Sequence, residues 1–295
     1  MIVPTTSLTA VAVADHYDEL DPIYRQVWGE HVHHGLWATG RETPVEAVEA
    51  LSDTVADRLG LMPGEACIDI GCGYGSTARQ LAVTRRVRVT GFTLSGAQAD
   101  YAAAHPEPDV DIRVRDWLDN GLTDDSADAA WAIESSEHMV DKPRFFAEAH
   151  RVLSPGGRLV VCVWLAESHA SRWKVRHLLE PICREGRLPS MGTRADYEEM
   201  AIAAGFAIAG YEDVSRRVAR TWTICARRLV KALLVDREAR RFALSARNRI
   251  FLLTIPRLIL AYRTGAMSYG IFTLTKAGKN GPPHEPGKSM QQEEA

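Results

Sequence analysis

The side chains best suited to chemistry begin at Asp69, inside an apolar run over 66–70 that then breaks into Gly71, Gly73 and Gly75 at alternate positions. Glycine allows backbone angles and a close approach that a Cβ forbids, so a strand ending this way turns into a helix with bare backbone offered to a ligand. That helix is predicted over 76–83. Dinucleotide sites space their glycines as G-x-G-x-x-G; here the third comes one residue early and Ser76 stands in place of the last, which disfavours pyrophosphate. A second reactive cluster, Glu134, Ser135, Ser136, Glu137, His138 and Met139, follows the apolar run 129–133. Carboxylates and an imidazole can move protons, and the carboxyl ends of parallel strands are where ligands bind.

A strand over 87–93 ends at Thr93, where a ribose-binding acid ordinarily stands. With the Asp69 turn, the stretch 91–98 (Gly-Phe-Thr-Leu-Ser-Gly-Ala-Gln) and the cluster at 134–139, the chain resembles class I S-adenosylmethionine methyltransferases of the gamma-tocopherol methyltransferase and cyclopropane fatty acid synthase group. The resemblance covers residues 17–276. It implies an α/β fold: a Rossmann-like seven-stranded sheet with helices on both faces, an N-terminal helical lid and a helical substrate cap. It also implies S-adenosyl-L-methionine as cofactor, held by Asp69, Gly71, Gly73 and Gly75. Thr93, Leu94 and Gln98 would serve the ribose, since a hydroxyl and an amide can both donate and accept in place of the missing acid. Asp116, after a strand over 111–114, takes the place of the carboxylate that meets the adenine amine, with Trp117 as a wall. Residues 31–37 resemble the His-x-Gly-x-Trp segment that folds over the methionine end, which brings in His34.

Methyl transfer from a sulfonium is an in-line displacement that depends on alignment. An oxygen nucleophile must also lose a proton, and His138 and Glu137 are placed to take it; Glu134 would hold the amino end of methionine or act on the substrate. The acceptor implied is a hydrophobic small molecule of specialised or isoprenoid and quinone-like metabolism, methylated at O or C. Alkene methylation through a carbocation on a prenyl or fatty acyl chain is a second reading, with Tyr17, Tyr24, Trp28, Trp37 and Trp222 lining the pocket. A cofactor-binding protein without catalysis is a third. The histidines at 31, 33 and 34 have no carboxylate set or H-E-x-x-H frame, so no metal is expected.

The elements that must position these residues are legible from periodicity. Helices are expected over 15–28 and 44–59, the second with Thr43 as N-cap and Pro44 at its first position, forming a lid over 1–62. The cofactor-binding core spans 63–165, and Ser95 reads as the N-cap of a helix reaching 104. Residues 166–276 carry a cap over 167–190, a helix over 193–204, a strand over 206–214, a long connection over 218–265 and a last antiparallel strand over 269–276. The Gly-, Pro- and Glu-rich tail 277–295 reads as disordered.

The chain has 295 residues, is 46% hydrophobic and 25% charged, and carries a net charge of −3. This fits one soluble enzyme domain, and the five cysteines lack a C-x-x-C pair and read as buried hydrophobes. Without a signal peptide or a spanning run the expected location is cytoplasmic. Charge is uneven: residues 216–263 hold thirteen Lys or Arg against two acids, net +11. The apolar run 250–262 within that stretch is broken by Pro256. Core packing, a subunit contact in a homo-oligomer, a substrate cap or a peripheral membrane face would each use it. Nucleic acid is not expected, because the overall balance is acidic and no basic strand is interleaved with aromatics.

Overall fold

A computed structural model describes residues 1–4, 9–27, 29–235, 237 and 250–278. Seven strands form one sheet in the order β3-β2-β1-β4-β5-β7-β6. They are β1 Ala66–Ile70, β2 Arg88–Thr93, β3 Val110–Val114, β4 Ala127–Ile133, β5 Leu153–Ala166, β6 Phe206–Asp213 and β7 Met267–Lys276. The first five run parallel, and β7 slots antiparallel between β5 and β6. The order reverses between β1 and β4, which opens a crevice at their carboxyl ends.

Alternate strand residues face opposite ways, and both faces are covered. Ile68, Ile70, Ala130, Val161 and Val163 pack with Phe145 and Phe146 of α5 (Lys142–Val152) and Tyr197 of α8 (Arg194–Ala203). Cys67, Val89, Trp131, Val160 and Cys162 pack with Leu51 and Val55 of α2 (Pro44–Leu59) and Ala78 and Leu81 of α3 (Ser76–Arg85). This double burial explains why the central strands read as continuous apolar runs. Local signals set the helix starts. Thr43 and Glu46 form a reciprocal capping box on α2, and the Ser95 side chain accepts the Gln98 N–H at the start of α4 (Gly96–Ala104).

A separate cluster holds the cap together. The short helices α6 (Arg172–Lys174) and α7 (Glu180–Glu185) flank a π-turn, and Leu179, Ile182 and Cys183 pack against Trp222 and Cys225. The last two belong to α10 (Arg220–Val235), which follows the single turn α9 (Ser215–Val218); α11 (Ile250–Arg263) completes the layer. Pro256 lies inside α11 and does not interrupt it. An interior proline costs about 3 kcal/mol, and burying Ile255 and Leu258 at roughly 1.5–3 kcal/mol each offsets that.

The first helix, α1 (Ala10–Val27), begins five residues before the expected start. Trp28 and the tail from 279 lie outside the described residues, as does the side chain of Tyr24. Among the described residues no helix is long and apolar enough to cross a membrane.

Candidate active site

A cleft of about 690 Å³, its open mouth included, lies at the carboxyl ends of the strands on the β1 and β4 side. Its walls come from each strand in turn: Gly71 and Gly73 after β1, Thr93, Leu94 and Gln98 after β2, Arg115, Asp116 and Trp117 after β3, Ile133, Glu134, Ser135 and His138 after β4. Val13 and Tyr17 of α1 and Val32 close it from the N-terminal segment. A smaller recess of about 330 Å³ adjoins it and shares Gly71, Gly73, Val32 and Ile133. Asp69, Ser76, Thr77, His31 and His33 line that recess.

The three glycines serve different ends. A Cβ on Gly71 would stand 2.3 Å from Ser135 Cβ, so the crossing of the β1 and β4 loops demands glycine there. On Gly73 it would meet nothing nearer than Gln98 Nε2 at 3.9 Å, and would project into open space. Gly75 lines neither cavity; it caps α3 in the left-handed conformation, against Arg79 and Ile112.

Asp69 is buried, and its Oδ2 has no partner in hydrogen-bonding geometry, although the Trp131 indole stands close enough to lower its pKa somewhat. Burial pushes its carboxyl up to about 7. A buried acid left this way beside two glycines suits a cationic group brought by a ligand, such as the ammonium of a methionine moiety. Thr93 Oγ1 donates to Gln98 Oε1 at 2.8 Å and accepts from Ser95 N at 3.2 Å. That bond turns the Gln98 amide nitrogen toward Gly73 and the cleft. Asp116 Oδ1 accepts from Leu118 N at 2.9 Å, and Trp117 is anchored by its Nε1 donating to Phe145 O at 3.2 Å. An adenosine with a methionine tail fits this ordered set of walls.

Of the polar cluster after β4, only part faces the cleft. His138 lines it, with Nδ1 3.3 Å from Arg187 O and Nε2 2.9 Å from Tyr17 Oη. A carbonyl can only accept, which puts the ring proton on Nδ1 and leaves Nε2 to accept from Tyr17. Burial lowers the His138 pKa to about 4, so the ring is neutral through the physiological range.

Glu137 turns away from the cleft. Its Oε1 accepts from Trp164 N at 2.8 Å, tying the β4 loop to β5, and burial pushes its carboxyl up to about 8. The geometry thus corrects the expectation of a Glu137 and His138 pair: adjacent residues in a tight turn point opposite ways. Lys142, also buried, donates to Glu137 O at 3.0 Å, Met139 O at 3.2 Å and Ser190 Oγ at 2.9 Å, which fixes the turn against the cap.

Glu134 sits at φ +52, a strained conformation for a non-glycine residue. Its Oε1 accepts from His34 N at 2.6 Å, His34 Nδ1 at 2.9 Å and Tyr269 Oη at 2.9 Å, and its Oε2 from Trp164 Nε1 at 3.0 Å. Burial alone would raise its pKa; the neighbouring His34 and His33 and these donated bonds outweigh burial and lower it. A carboxylate so fully used joins β4, β5, β7 and the lid segment, and holds no capacity for proton transfer. His34 therefore lies behind the cleft wall, while His31 and His33 stand at the recess.

The aromatic pocket divides likewise. Tyr17 lines the cleft. Trp37 is buried elsewhere, its Nε1 donating to Glu42 O at 3.2 Å, and Trp222 packs edge-on to His34 and Trp164 with ring centroids 5.2 and 5.6 Å away. In their place the cleft has Val13, Val32, Leu94 and Met139, of which Val13 alone lies outside the motifs read from the sequence. Asp18 and Asp21 are a further addition. Asp18 accepts from Ser95 Oγ and from Ala97 N at 3.3 Å, and Asp21 Oδ1 accepts from Tyr74 Oη at 2.6 Å. With Tyr17 they latch α1 across the cleft, and the i, i+4 spacing of Tyr17 to Asp21 and the i, i+3 spacing of Asp18 to Asp21 were the available signal.

Residues 5–244 match the family described as mycolic acid cyclopropane synthetase. The chain is 28% identical to the chloroplastic tocopherol O-methyltransferase of Arabidopsis thaliana, over 92% of this chain and 84% of that protein. It is 34% identical to the 27-O-demethylrifamycin SV methyltransferase of Amycolatopsis mediterranei (strain S699), over 76% of this chain and 84% of the relative. Among solved structures, the cyclopropane synthase MmaA2 of Mycobacterium tuberculosis superposes with a TM-score of 0.79 at 25% identity, covering 92% of this chain and all of that one.

Proposed function

The chain belongs to the mycolic acid cyclopropane synthetase family and is an S-adenosylmethionine-dependent methyltransferase, and from that premise we propose that it methylates a hydroxyl group of a hydrophobic small molecule, with His138 as the proton acceptor. The observation that carries this reading is the neutral His138 ring, its Nε2 turned into an apolar cleft and its Nδ1 fixed on a backbone carbonyl. The relatives that act on tocopherol and on 27-O-demethylrifamycin SV support an oxygen acceptor.

When bound, the cofactor supplies an electrophilic methyl carbon on a sulfonium. Asp69 would meet the ammonium end, Gly73 would leave room for the methionine chain, Gln98 would donate to the ribose with Thr93 holding its amide, and Asp116 and Trp117 would receive the adenine. Tyr17 Oη occupies the position that a substrate hydroxyl must take on His138 Nε2, so the substrate exchanges one hydroxyl for another. With the cofactor supplying the methyl carbon and leaving as S-adenosylhomocysteine, His138 Nε2 would take the proton that the substrate hydroxyl loses on becoming a methyl ether. The Arg187 carbonyl on Nδ1, and more weakly the charge of Glu134, favour the protonated ring that results, against burial and the charge of Lys142. Val13, Val32, Leu94 and Met139 keep water from the reacting pair.

Carbocation chemistry asks for several aromatic faces around the acceptor. Tyr17, Phe92 and Trp117 line the cleft, Trp117 on the side assigned to adenine, but Trp37 and Trp222 stand outside it, which favours the hydroxyl reading. Turnover of radiolabelled methyl groups into hydrophobic phenols, tocopherols included, tests it. His138→Gln should lose about a hundredfold or more in turnover with S-adenosylhomocysteine affinity retained. Full activity in that variant removes His138 from the mechanism.

A further inference from the structure

Beyond the cleft, the layer formed by α9, α10 and α11 carries a second concavity that methyl transfer does not use. Its floor is Ala219, Ile224, Ile259 and Tyr262, half-buried and largely apolar, and its rim is Arg216, Arg220, Arg227 and Arg263. No acidic side chain lines it. Arg216, Arg227 and Arg263 are exposed and enter no ion pair among the described residues. Arg220 lies over the Trp37 ring, 5.8 Å from its centroid.

Within α10 the spacing 220, 223, 227 places these residues along one helical face, which continues as Val230, Lys231 and Leu234, with Arg216 of α9 beside it. Val230 is 56% exposed, Leu234 71% and Val235 72%. Single exposed aliphatic residues are ordinary, but three within six positions on a basic helix are not. Arg220 and Arg227 stand roughly 10 Å apart at the α-helical rise of α10, too far for one phosphate group to meet both.

We infer that this face docks on an anionic phospholipid bilayer, the arginines on headgroup phosphates and Val230, Leu234 and Val235 in the headgroup and acyl boundary. An extended row of cations ending in exposed aliphatic side chains matches a surface that is anionic at its top and apolar just beneath. A nucleic acid would take the arginines but leave the aliphatic residues in water. The same face backs onto the active site: Tyr262 Oη is 3.3 Å from His34 Nε2, and His34 is bonded to Glu134 in the cleft wall. Docking there would set the enzyme on the phase in which a hydrophobic substrate dissolves. The inference stands on this surface alone and survives if the hydroxyl reading fails.

Flotation of the full chain with phosphatidylcholine vesicles, with and without about 30 mol % phosphatidylglycerol, tests it at ~0.1 M and ~1 M salt. Wild type should float with the anionic vesicles alone, and much less at high salt, where the screening length falls from about 10 to about 3 Å. The triple variant Arg216→Glu, Arg227→Glu, Arg263→Glu should partition about a hundredfold less or weaker still. Val230→Ser with Leu234→Ser should weaken partitioning at high salt, where only the apolar term remains. S-adenosylhomocysteine affinity, unchanged in every variant, shows that each is folded. Wild type that ignores anionic vesicles, a triple variant that floats like wild type, or equal binding to duplex DNA at matched phosphate would each overturn the inference.

Discussion

Replacing Gly71 and Gly73 in turn separates a glycine required by the fold from one required by the ligand. Both are left-handed, at φ +78 and +56, so alanine at either position carries about 1–2 kcal/mol of backbone strain. In Gly73→Ala the added methyl meets nothing closer than Gln98 Nε2 at 3.9 Å, and strain is the whole cost. At ~2–4 °C per kcal/mol for a domain of this size, its melting temperature should fall by about 2–8 °C. In Gly71→Ala the methyl would stand 2.3 Å from Ser135 Cβ, an atom no side-chain rotation can move. The β1 or β4 loop must shift, and overpacking adds roughly 1–3 kcal/mol or more. The order reverses for binding. The Gly73 methyl enters the space of the methionine chain, and the same ~1–3 kcal/mol of overpacking weakens S-adenosylhomocysteine about 5- to 150-fold. Calorimetric titration beside thermal melts reads both quantities. A folded Gly73→Ala protein that binds S-adenosylhomocysteine within twofold of wild type refutes this placement of the cofactor.

Gln98→Ala should weaken S-adenosylhomocysteine by roughly five- to tenfold, and Thr93→Val by somewhat less, because threonine acts by orienting the amide. The double variant should fall short of the product of the two, and a fully multiplicative result would mean that each contacts the ribose independently. For Asp69, the sign follows from its raised pKa of about 7: the buried carboxyl is neutral below that value and ionised above it. A ligand ammonium favours the ionised form, so affinity should be full above pH 7 and decline as pH falls, with a proton released on binding near neutrality. Titrations in buffers of different ionisation enthalpy measure that proton. Its absence, or its persistence in Asp69→Asn, places the ammonium elsewhere.

Much of the cofactor-binding half was legible because its signals are local. The glycine turn after β1, the Ser95 cap of α4 and the capping box of α2 each depend on residues within a few positions of one another. Backbone sterics and short-range hydrogen bonds decide such features wherever the chain lies. Thr93 and Gln98 are five residues apart, one at a strand end and one in the first turn of the following helix, so their contact follows from the elements themselves. The seven-stranded order and the antiparallel last strand came with the family resemblance.

The cluster after β4 was legible as a location and not as a set of directions. Glu134, Glu137 and His138 stand together in sequence, yet one ties the lid to three strands, one ties two strands together and one faces the cleft. In an irregular turn no periodicity assigns a side chain to a face; the partners that fix each, Trp164, Tyr269 and Arg187, come from distant segments. The aromatic residues misled for a similar reason, since a tryptophan suits a core as well as a pocket.

By itself the sequence determined the strand-to-helix turn after β1, the capped helices around it and the strand that delivers the polar cluster, because those depend on dihedral angles and on spacing along the chain. Only the tertiary structure decided that Tyr17 meets His138 across 121 residues, that Glu137 points inward and that the arginines of α9, α10 and α11 gather on one outer face. Those distances exist only once the sheet has closed and both its faces are covered, when packing selects among directions that the local chain leaves equal.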